Sequence, residues 1–319
     1  MGGIVDFEVC LPSGRASVHE MAAASGLPVA DILAITHCEE FPVLGDDETA
    51  WELSVDAART VLQRTGVDPR AIGKVIYAGS GEWDIPFWSP AAKVAHQLGT
   101  TEAHCFEVTN FCNAAALALR VAMDELTLGR SEHVLVLVGD RLSQLVDYTD
   151  PDSKILYNFG DAPAAVLLSA SGAAFEILHS AMRTDPSWAD YYQGEHDEYV
   201  VHMRRRGRRQ GLGDAYLANY PALIDQSLTA LGRGREDIAY LLLNQGDKGM
   251  HERLMEELGL PLERTVLNYH RLGHMGGADT LIALGGLLEE KRLSAGDLVL
   301  LGSSGMGFSW GVTALEYRG

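Results

Sequence analysis

Nothing in this 319-residue chain offers a disulfide framework or a zinc site. Its four cysteines, Cys10, Cys38, Cys105 and Cys112, include no CxxC pair. His251, His270 and His274 have no partner at a regular metal-ligand spacing, so no metal is expected. No uninterrupted apolar run reaches the roughly 20 residues of a membrane span. The start, Met1-Gly2-Gly3-Ile4-Val5-Asp6, has no basic region leading into an apolar one, and no Ser or Thr stands at the myristoylation position. A soluble cytoplasmic protein without a lipid anchor is expected. Positive charge is also scarce: 25 Lys and Arg against 44 Asp and Glu leave a formal net charge of −19. Such a surface repels a polyanion and excludes general nucleic-acid binding. Gly79-x-Gly81 and Gly302-x-x-Gly305-x-Gly307 lack the GxGxxG and Walker A spacings and read as tight turns with backbone donors. There is no GxSxG elbow, which argues against a serine hydrolase of the α/β type.

What the chain does have is size and apolar content. At 47% hydrophobic, it can bury a large core as one body or two closely packed halves. One stretch organises the rest. Phe106-Glu107-Val108-Thr109-Asn110 has mixed β character and runs into Cys112, and an Ala/Leu-rich helical stretch follows at once. Cys112 is therefore expected where a strand becomes a helix N-terminus. Free N–H groups and the helix dipole favour a thiolate there, the form in which cysteine is a nucleophile. The other reading of Cys112 is an inert cysteine packed among alanines.

The chain also repeats itself. Ile4 to Pro12 is a short strand, Val18 to Thr36 reads as helical, and Thr49 to Thr65 is an amphipathic helix ending at Gly66. The linker Gly66 to Ile72 leads into the strand Lys74–Gly79; later the helix Tyr220–Leu231, the linker Gly232 to Ile238 and the strand Tyr240–Asn244 follow in the same order. After Cys112 come a helix (Asn113–Leu128) and the strand Val134–Gly139. After His274 come a helix (Asp279–Lys291) and the strand Leu298–Gly302. Cys112 to Gly139 is 139 − 112 = 27 positions and His274 to Gly302 is 302 − 274 = 28, so the two side chains hold near-equivalent places in two copies of one α/β unit. Apolar strands separated by helices imply sheets covered on both faces, and duplication implies two halves about a pseudo-two-fold axis, where equivalent loops can converge.

These residues resemble the thiolase superfamily, and within it the ketoacyl-ACP synthase III branch. The likeness covers nearly the whole chain: the Gly66–Ile72 linker, the cysteine helix, Phe159-Gly160-Asp161-Ala162-Pro163-Ala164-Ala165-Val166 in place of FGDGAGAV, and the closing Gly302-Ser303-Ser304-Gly305-Met306-Gly307-Phe308-Ser309-Trp310-Gly311. The resemblance implies an α/β five-layer αβαβα fold, with an N-terminal half (1–170) carrying the cysteine and a C-terminal half (171–319) carrying His274 and Asn244. It also implies a homodimer, and a cysteine acylated by coenzyme A or acyl-carrier-protein thioesters. These thioesters are substrates; no permanently bound cofactor is implied. The departures concern the site. The family places a histidine in an HQAN motif and an asparagine in a YGN motif, whereas here Leu243-Asn244-Gln245-Gly246-Asp247 and Leu272-Gly273-His274 stand there, with the two residue types exchanged. His274 can still serve as base and then acid, with Asn244 as amide donor. The backbone N–H groups of Cys112, Met306 and Gly307 would make the oxyanion hole.

Further candidates carry two readings each. Glu82, in Gly79-Ser80-Gly81-Glu82-Trp83-Asp84, is similar to the acid/base glutamate of the hydroxymethylglutaryl-CoA synthase branch, which Val108 to Cys112 also resembles; otherwise it is a surface carboxylate. Trp83, Phe87 and Trp88 line an acyl tunnel or pack in the core. Arg204, Arg205, Arg206, Arg208 and Arg209 put five arginines in six positions, either a solvated loop or a dock for coenzyme A phosphates or an acidic carrier protein. The expected function is an acyltransferase of specialised, polyketide or fatty-acid-like biosynthesis. Cys112 takes the acyl group and a malonyl-derived carbanion receives it by Claisen condensation. The alternatives are O- or N-acyl transfer to an alcohol or amine, and a catalytically silent partner subunit.

Overall fold

A nine-stranded sheet runs through the computed structural model, and its strand order records a duplication. Residues 2–197, 200–207 and 209–319 are described, Asp197 by its backbone alone. The first part of the chain runs β1 (Gly3–Val9), β2 (Gly14–Ser17), α1 (Val18–Ser25), α2 (Val29–Thr36), β3 (Glu40–Val43), α3 (Ala50–Thr65), β4 (Ile72–Gly79), α4 (Pro90–Leu98), β5 (His104–Thr109), α5 (Ala114–Thr127), β6 (His133–Val138) and β7 (Ala164–Ser169). The second runs β8 (Phe175–Trp188), β9 (Tyr192–Asp197), β10 (Val200–Arg205), α6 (Leu212–Leu231), β11 (Ile238–Leu243), α7 (Lys248–Leu258), α8 (Asp279–Glu289), β12 (Leu298–Gly305) and β13 (Gly307–Tyr317).

Read outward from the middle of the sheet, the strands are β1-β7-β6-β4-β5 on one side and β8-β13-β12-β11 on the other. On each side the first three pairings have the same sense: antiparallel, antiparallel, then parallel. Within the sheet, among the described residues, the two sides pair through Gly3 opposite Glu176 and Ile4 opposite Phe175. Two pseudo-duplicated halves thus lie face to face, joined at one edge.

Helices fill the remaining layers. α3 and α4 cover the outer face of the first sheet, α6 and α7 the outer face of the second, and α5 and α8 lie between the sheets. The result is the five-layer αβαβα order. The central layer explains the composition of α5: Ala114, Ala115, Ala116 and Ala118 are buried, and only side chains this small let a helix fit between two sheets. The strand His133–Val138 is apolar throughout because both its faces are covered.

Most element boundaries fall within a few residues of expectation. Two do not. The single helix expected over Val18–Thr36 is two, because Gly26 takes a left-handed φ of 74° and Pro28 follows it. The helix expected from Tyr220 starts at Leu212 and carries Pro221 inside it. Among the described residues no helix is long and apolar enough to cross a membrane.

Candidate active site

The strand β5 ends at Thr109, and the chain turns through a 3-10 segment, Phe111–Asn113, before α5 begins. Phe111 has φ 50°, a left-handed conformation that bulky residues rarely adopt. Such a conformation costs of order 1–3 kcal/mol and persists where its surroundings hold it. It lifts Cys112 to the end of the central layer, with the side chain 7% exposed.

His274 comes from the loop before α8. Its backbone N–H donates to the Asn158 carbonyl at 2.6 Å and its carbonyl accepts from Gly160 N–H at 3.0 Å, so the Asn158-Phe159-Gly160 segment fixes its place. Gly273 makes this approach possible: a Cβ there would lie 2.2 Å from the Asn158 oxygen. The Phe159 ring closes edge-on over the imidazole at 5.3 Å.

The two halves bring these groups together. His274 Nε2 lies 3.1 Å from Cys112 Sγ, and His274 Nδ1 lies 2.5 Å from the Asp279 Oδ2. Asp279, the first residue of α8, is 1% exposed, and its carboxylate also accepts from the Gln245 N–H (2.8 Å) and the Met275 N–H (2.9 Å). Burial works against a charged imidazole, yet the Cys112 sulfur and the Asp279 carboxylate outweigh it and raise the His274 pKa well above the ordinary imidazole range. Sulfur, imidazole and carboxylate form a line along which a proton can pass between sulfur and nitrogen.

Asp279 escaped the sequence reading. Its only signal was an acidic residue five positions after His274, where a helix starts, and acids are ordinary in a first helical turn.

Asn244 stands beside this line at the end of β11. Its Oδ1 accepts from the Ser304 N–H at 2.6 Å and its Nδ2 donates to the Gly276 carbonyl at 3.1 Å, which among the described residues leaves one amide hydrogen uncommitted. Cys112, His274, Asn244 and Met306 share a cavity of about 280 Å³ with an aromatic wall that includes Tyr216 and Phe308. A second cavity-lining imidazole, His251, is bonded to the Thr265 hydroxyl at 2.9 Å, and burial lowers its pKa to about 4.

Other expected site residues lie elsewhere. Glu82 is exposed and does not line the cavity. Trp83 packs edge-on against Tyr77 at 5.2 Å, Trp88 against Trp51 at 6.1 Å, and Phe87 is fully exposed. None of the three lines the cavity.

Four of the five arginines have partners within the chain. Arg204 bonds Asp147 at 2.6 Å, Asp150 at 3.2 Å and the Ser153 hydroxyl at 3.0 Å, and Arg206 pairs with Glu195. Arg205 lies over the Tyr191 ring and Arg209 over the Trp188 ring. They staple the β9–β10 hairpin, whose Tyr192 and Met203 wall the cavity. Arg208 lies outside the described residues.

A buried cysteine in line with an imidazole and a carboxylate, inside a five-layer sheet-and-helix arrangement of mirrored strand order, fits a thiolase-like fold. Comparison with known proteins narrows the class. The family described as 3-oxoacyl-[acyl-carrier-protein] synthase III matches residues 106–186, and its C-terminal part matches residues 228–317. The β-ketoacyl-[acyl-carrier-protein] synthase III of Sphingopyxis alaskensis is 30% identical over 312 residues, 96% of each chain. Among solved structures, 3-oxoacyl-[acyl-carrier-protein] synthase III from Aquifex aeolicus matches with a TM-score of 0.88 at 24% identity, over 99% of this chain and 100% of that one. The priming β-ketosynthase of the R1128 polyketide pathway matches with a TM-score of 0.88 at 21% identity, over 99% of this chain and 96% of that one. The chain belongs to the 3-oxoacyl-[acyl-carrier-protein] synthase III family of acyl-transferring condensing enzymes, in the thiolase superfamily.

Proposed function

We propose that this protein takes an acyl group from a coenzyme A or acyl-carrier-protein thioester onto Cys112 and passes it to a second substrate, in specialised polyketide or fatty-acid-like biosynthesis. The observation that carries this is the Cys112–His274–Asp279 line facing the cavity. The sulfur attacks the thioester carbonyl, a new C–S bond forms, and the departing thiolate takes its proton from His274 Nε2. The N–H groups of Cys112, Met306 and Gly307 receive the developing oxyanion. The nucleophile belongs to an N-terminal half, 1–170, and the base to a C-terminal half, 171–319.

For the second step the relatives' names point to Claisen condensation, in which a malonyl thioester loses carbon dioxide and its carbanion attacks the acyl-enzyme. Asp279 favours a second reading. A carboxylate at Nδ1 holds a neutral imidazole as the Nδ1–H tautomer and leaves Nε2 a bare acceptor. Such a nitrogen takes a proton from an alcohol or amine; it donates none to a thioester carbonyl. The product is then an ester or amide, with Asn244 contributing its remaining amide hydrogen to the carbonyl.

The protein works as a cytoplasmic homodimer. Ile85, Phe87 and Phe111, 49%, 112% and 38% exposed, follow adjacent strands at one end of the sheet, and β5 is one of its two edges, which suits pairing with a second copy. Intact mass after incubation with a panel of acyl-CoAs tests the first step. An adduct lost in Cys112→Ala supports it, and no adduct with any donor supports a silent partner subunit. Release of carbon dioxide from malonyl thioester identifies condensation; ester or amide formation without it identifies the second reading.

A further inference from the structure

Beneath the nucleophile lies a polar network that the acyl-transfer line does not use. Asn113, the residue after Cys112, is fully buried between the two halves, at the head of a helix whose next three residues are alanine. An amide in that position is costly unless every polar atom is bonded. Its Oδ1 accepts from the Ser303 hydroxyl at 2.5 Å and its Nδ2 donates to Ser309 Oγ at 3.2 Å. Ser309 Oγ in turn donates to Asn110 Oδ1 at 3.1 Å. The Asn113 N–H closes the nucleophile turn on the Asn110 carbonyl at 3.1 Å. Ser303 and Ser309 flank the Gly305-Met306-Gly307 turn on β12 and β13, so one side chain bonds both arms of that hairpin from the opposite half.

The hairpin is shaped to receive this side chain. A Cβ on Gly311 would stand 2.6 Å from Asn113 Oδ1, and one on Gly305 would stand 2.5 Å from the Asn110 carbonyl oxygen and 3.1 Å from Asn113 N. Glycine at both points lets the turn close directly onto the Asn110–Asn113 segment. The two segments so joined are the ones that carry the Cys112 N–H and the Met306 and Gly307 N–H groups.

We propose that Asn113 is a positioning residue for acyl transfer: it holds the Cys112 N–H in register with the Gly305–Gly307 turn, and so sets the oxyanion site without touching the sulfur or His274. This rests on the acyl-transfer reading above. The network matters only where a tetrahedral oxyanion forms, and that separates it from a general structural role.

Two reagents make the separation. p-Nitrophenyl acetate acylates Cys112 through a tetrahedral oxyanion: a C–S bond forms and p-nitrophenolate leaves with the bonding electrons. Iodoacetamide alkylates the same sulfur by direct displacement of iodide and forms no oxyanion. In Asn113→Ala, acylation is expected to slow by about 100-fold, the scale on which ångström misplacement acts, while alkylation stays within about twofold. Ser303→Ala removes one of the bonds and keeps the fold if Asn113→Ala does not; there acylation falls by about tenfold, again with alkylation unchanged. Equal losses in both reactions, or no loss in either, overturn the proposal. A wild-type protein that is alkylated but never acylated instead overturns the acyl-transfer reading itself, and this inference with it.

Discussion

Replacing Asp279 by asparagine is the sharpest test of the proposed chemistry, because the change is isosteric and its effect passes through one nitrogen. The carboxylate accepts from His274 Nδ1, the Gln245 N–H and the Met275 N–H. An amide has one oxygen with which to replace two. If its oxygen takes the Oδ1 place and keeps the Met275 N–H, its NH2 faces both the Gln245 N–H and Nδ1, and the imidazole must carry its proton on Nε2, where it cannot accept one from the Cys112 sulfur. The loss expected from such a tautomer change is about 10⁴-fold in acylation rate. If the amide turns the other way, a buried N–H loses its partner at about 1–3 kcal/mol, and the thermal midpoint drops with it. Unlike the Asn113 variants, Asp279→Asn slows both p-nitrophenyl acetate and iodoacetamide, since both need the proton taken from sulfur.

The pH dependence has a definite sign. His274 is raised above its ordinary 6.5, so its pairing contributes stability in full below about pH 6.5 and loses it as pH rises through the raised value. The difference in thermal midpoint between wild type and Asp279→Asn should therefore be largest near pH 6 and shrink toward alkaline pH. The alkaline edge of the acylation profile, where the imidazolium that protonates the departing thiol disappears, should move to lower pH in the variant. Wild-type acylation rates in Asp279→Asn, or a midpoint difference that grows with pH, would refute the reasoning.

Two further outcomes follow from charges inside or at the edge of the core. Arg204→Ala strips the β9–β10 hairpin of its ties to Asp147 and Asp150, side chains no more than 28% exposed. The expected cost is about 1–3 kcal/mol, discounted for partial solvent screening, and limited trypsin digestion should cut the hairpin faster, while the alkylation rate of Cys112 is kept. Asp140 is buried, which lifts its carboxyl from 3.8 to about 6 against the opposing hydrogen bond from the Ser80 N–H at 2.7 Å. That is a cost of about 3 kcal/mol, borne above pH 6 and relieved as the pH falls from about 6 to 3.8. Asp140→Asn should flatten the pH dependence of the thermal midpoint across that window; an unchanged slope would count against it.

Much of this architecture is written in local patterns. The Gly-terminated helices, the apolar strands and the 27- and 28-residue spacings repeat within short windows, and the strand order observed is the one that repetition implies. The convergence of Cys112 and His274 follows from the same repetition, since equivalent loops of a duplicated unit meet at its axis. The sequence was less legible wherever a side chain's meaning depends on a distant partner. Arg204 reads as part of a basic run until Asp147 and Asp150, more than fifty positions earlier, fold against it. Asp279 looks like an ordinary helix-start acid until the Gln245 N–H and His274 turn toward it. Asn113 looks out of place among alanines until Ser303 and Ser309 arrive from 190 and 196 positions away. Glu82 and Phe87 read as site residues by order along the chain, but both are exposed and neither lines the cavity.

The sulfur comes from one duplicated unit, and the nitrogen and carboxylate come from the other. On the acyl-transfer reading proposed above, neither unit alone carries out the reaction, so chemical competence requires the interface between them to close. The thiol is thus a built-in gauge of assembly: during refolding, the time at which it acquires its mature reactivity marks when the two copies seat against each other.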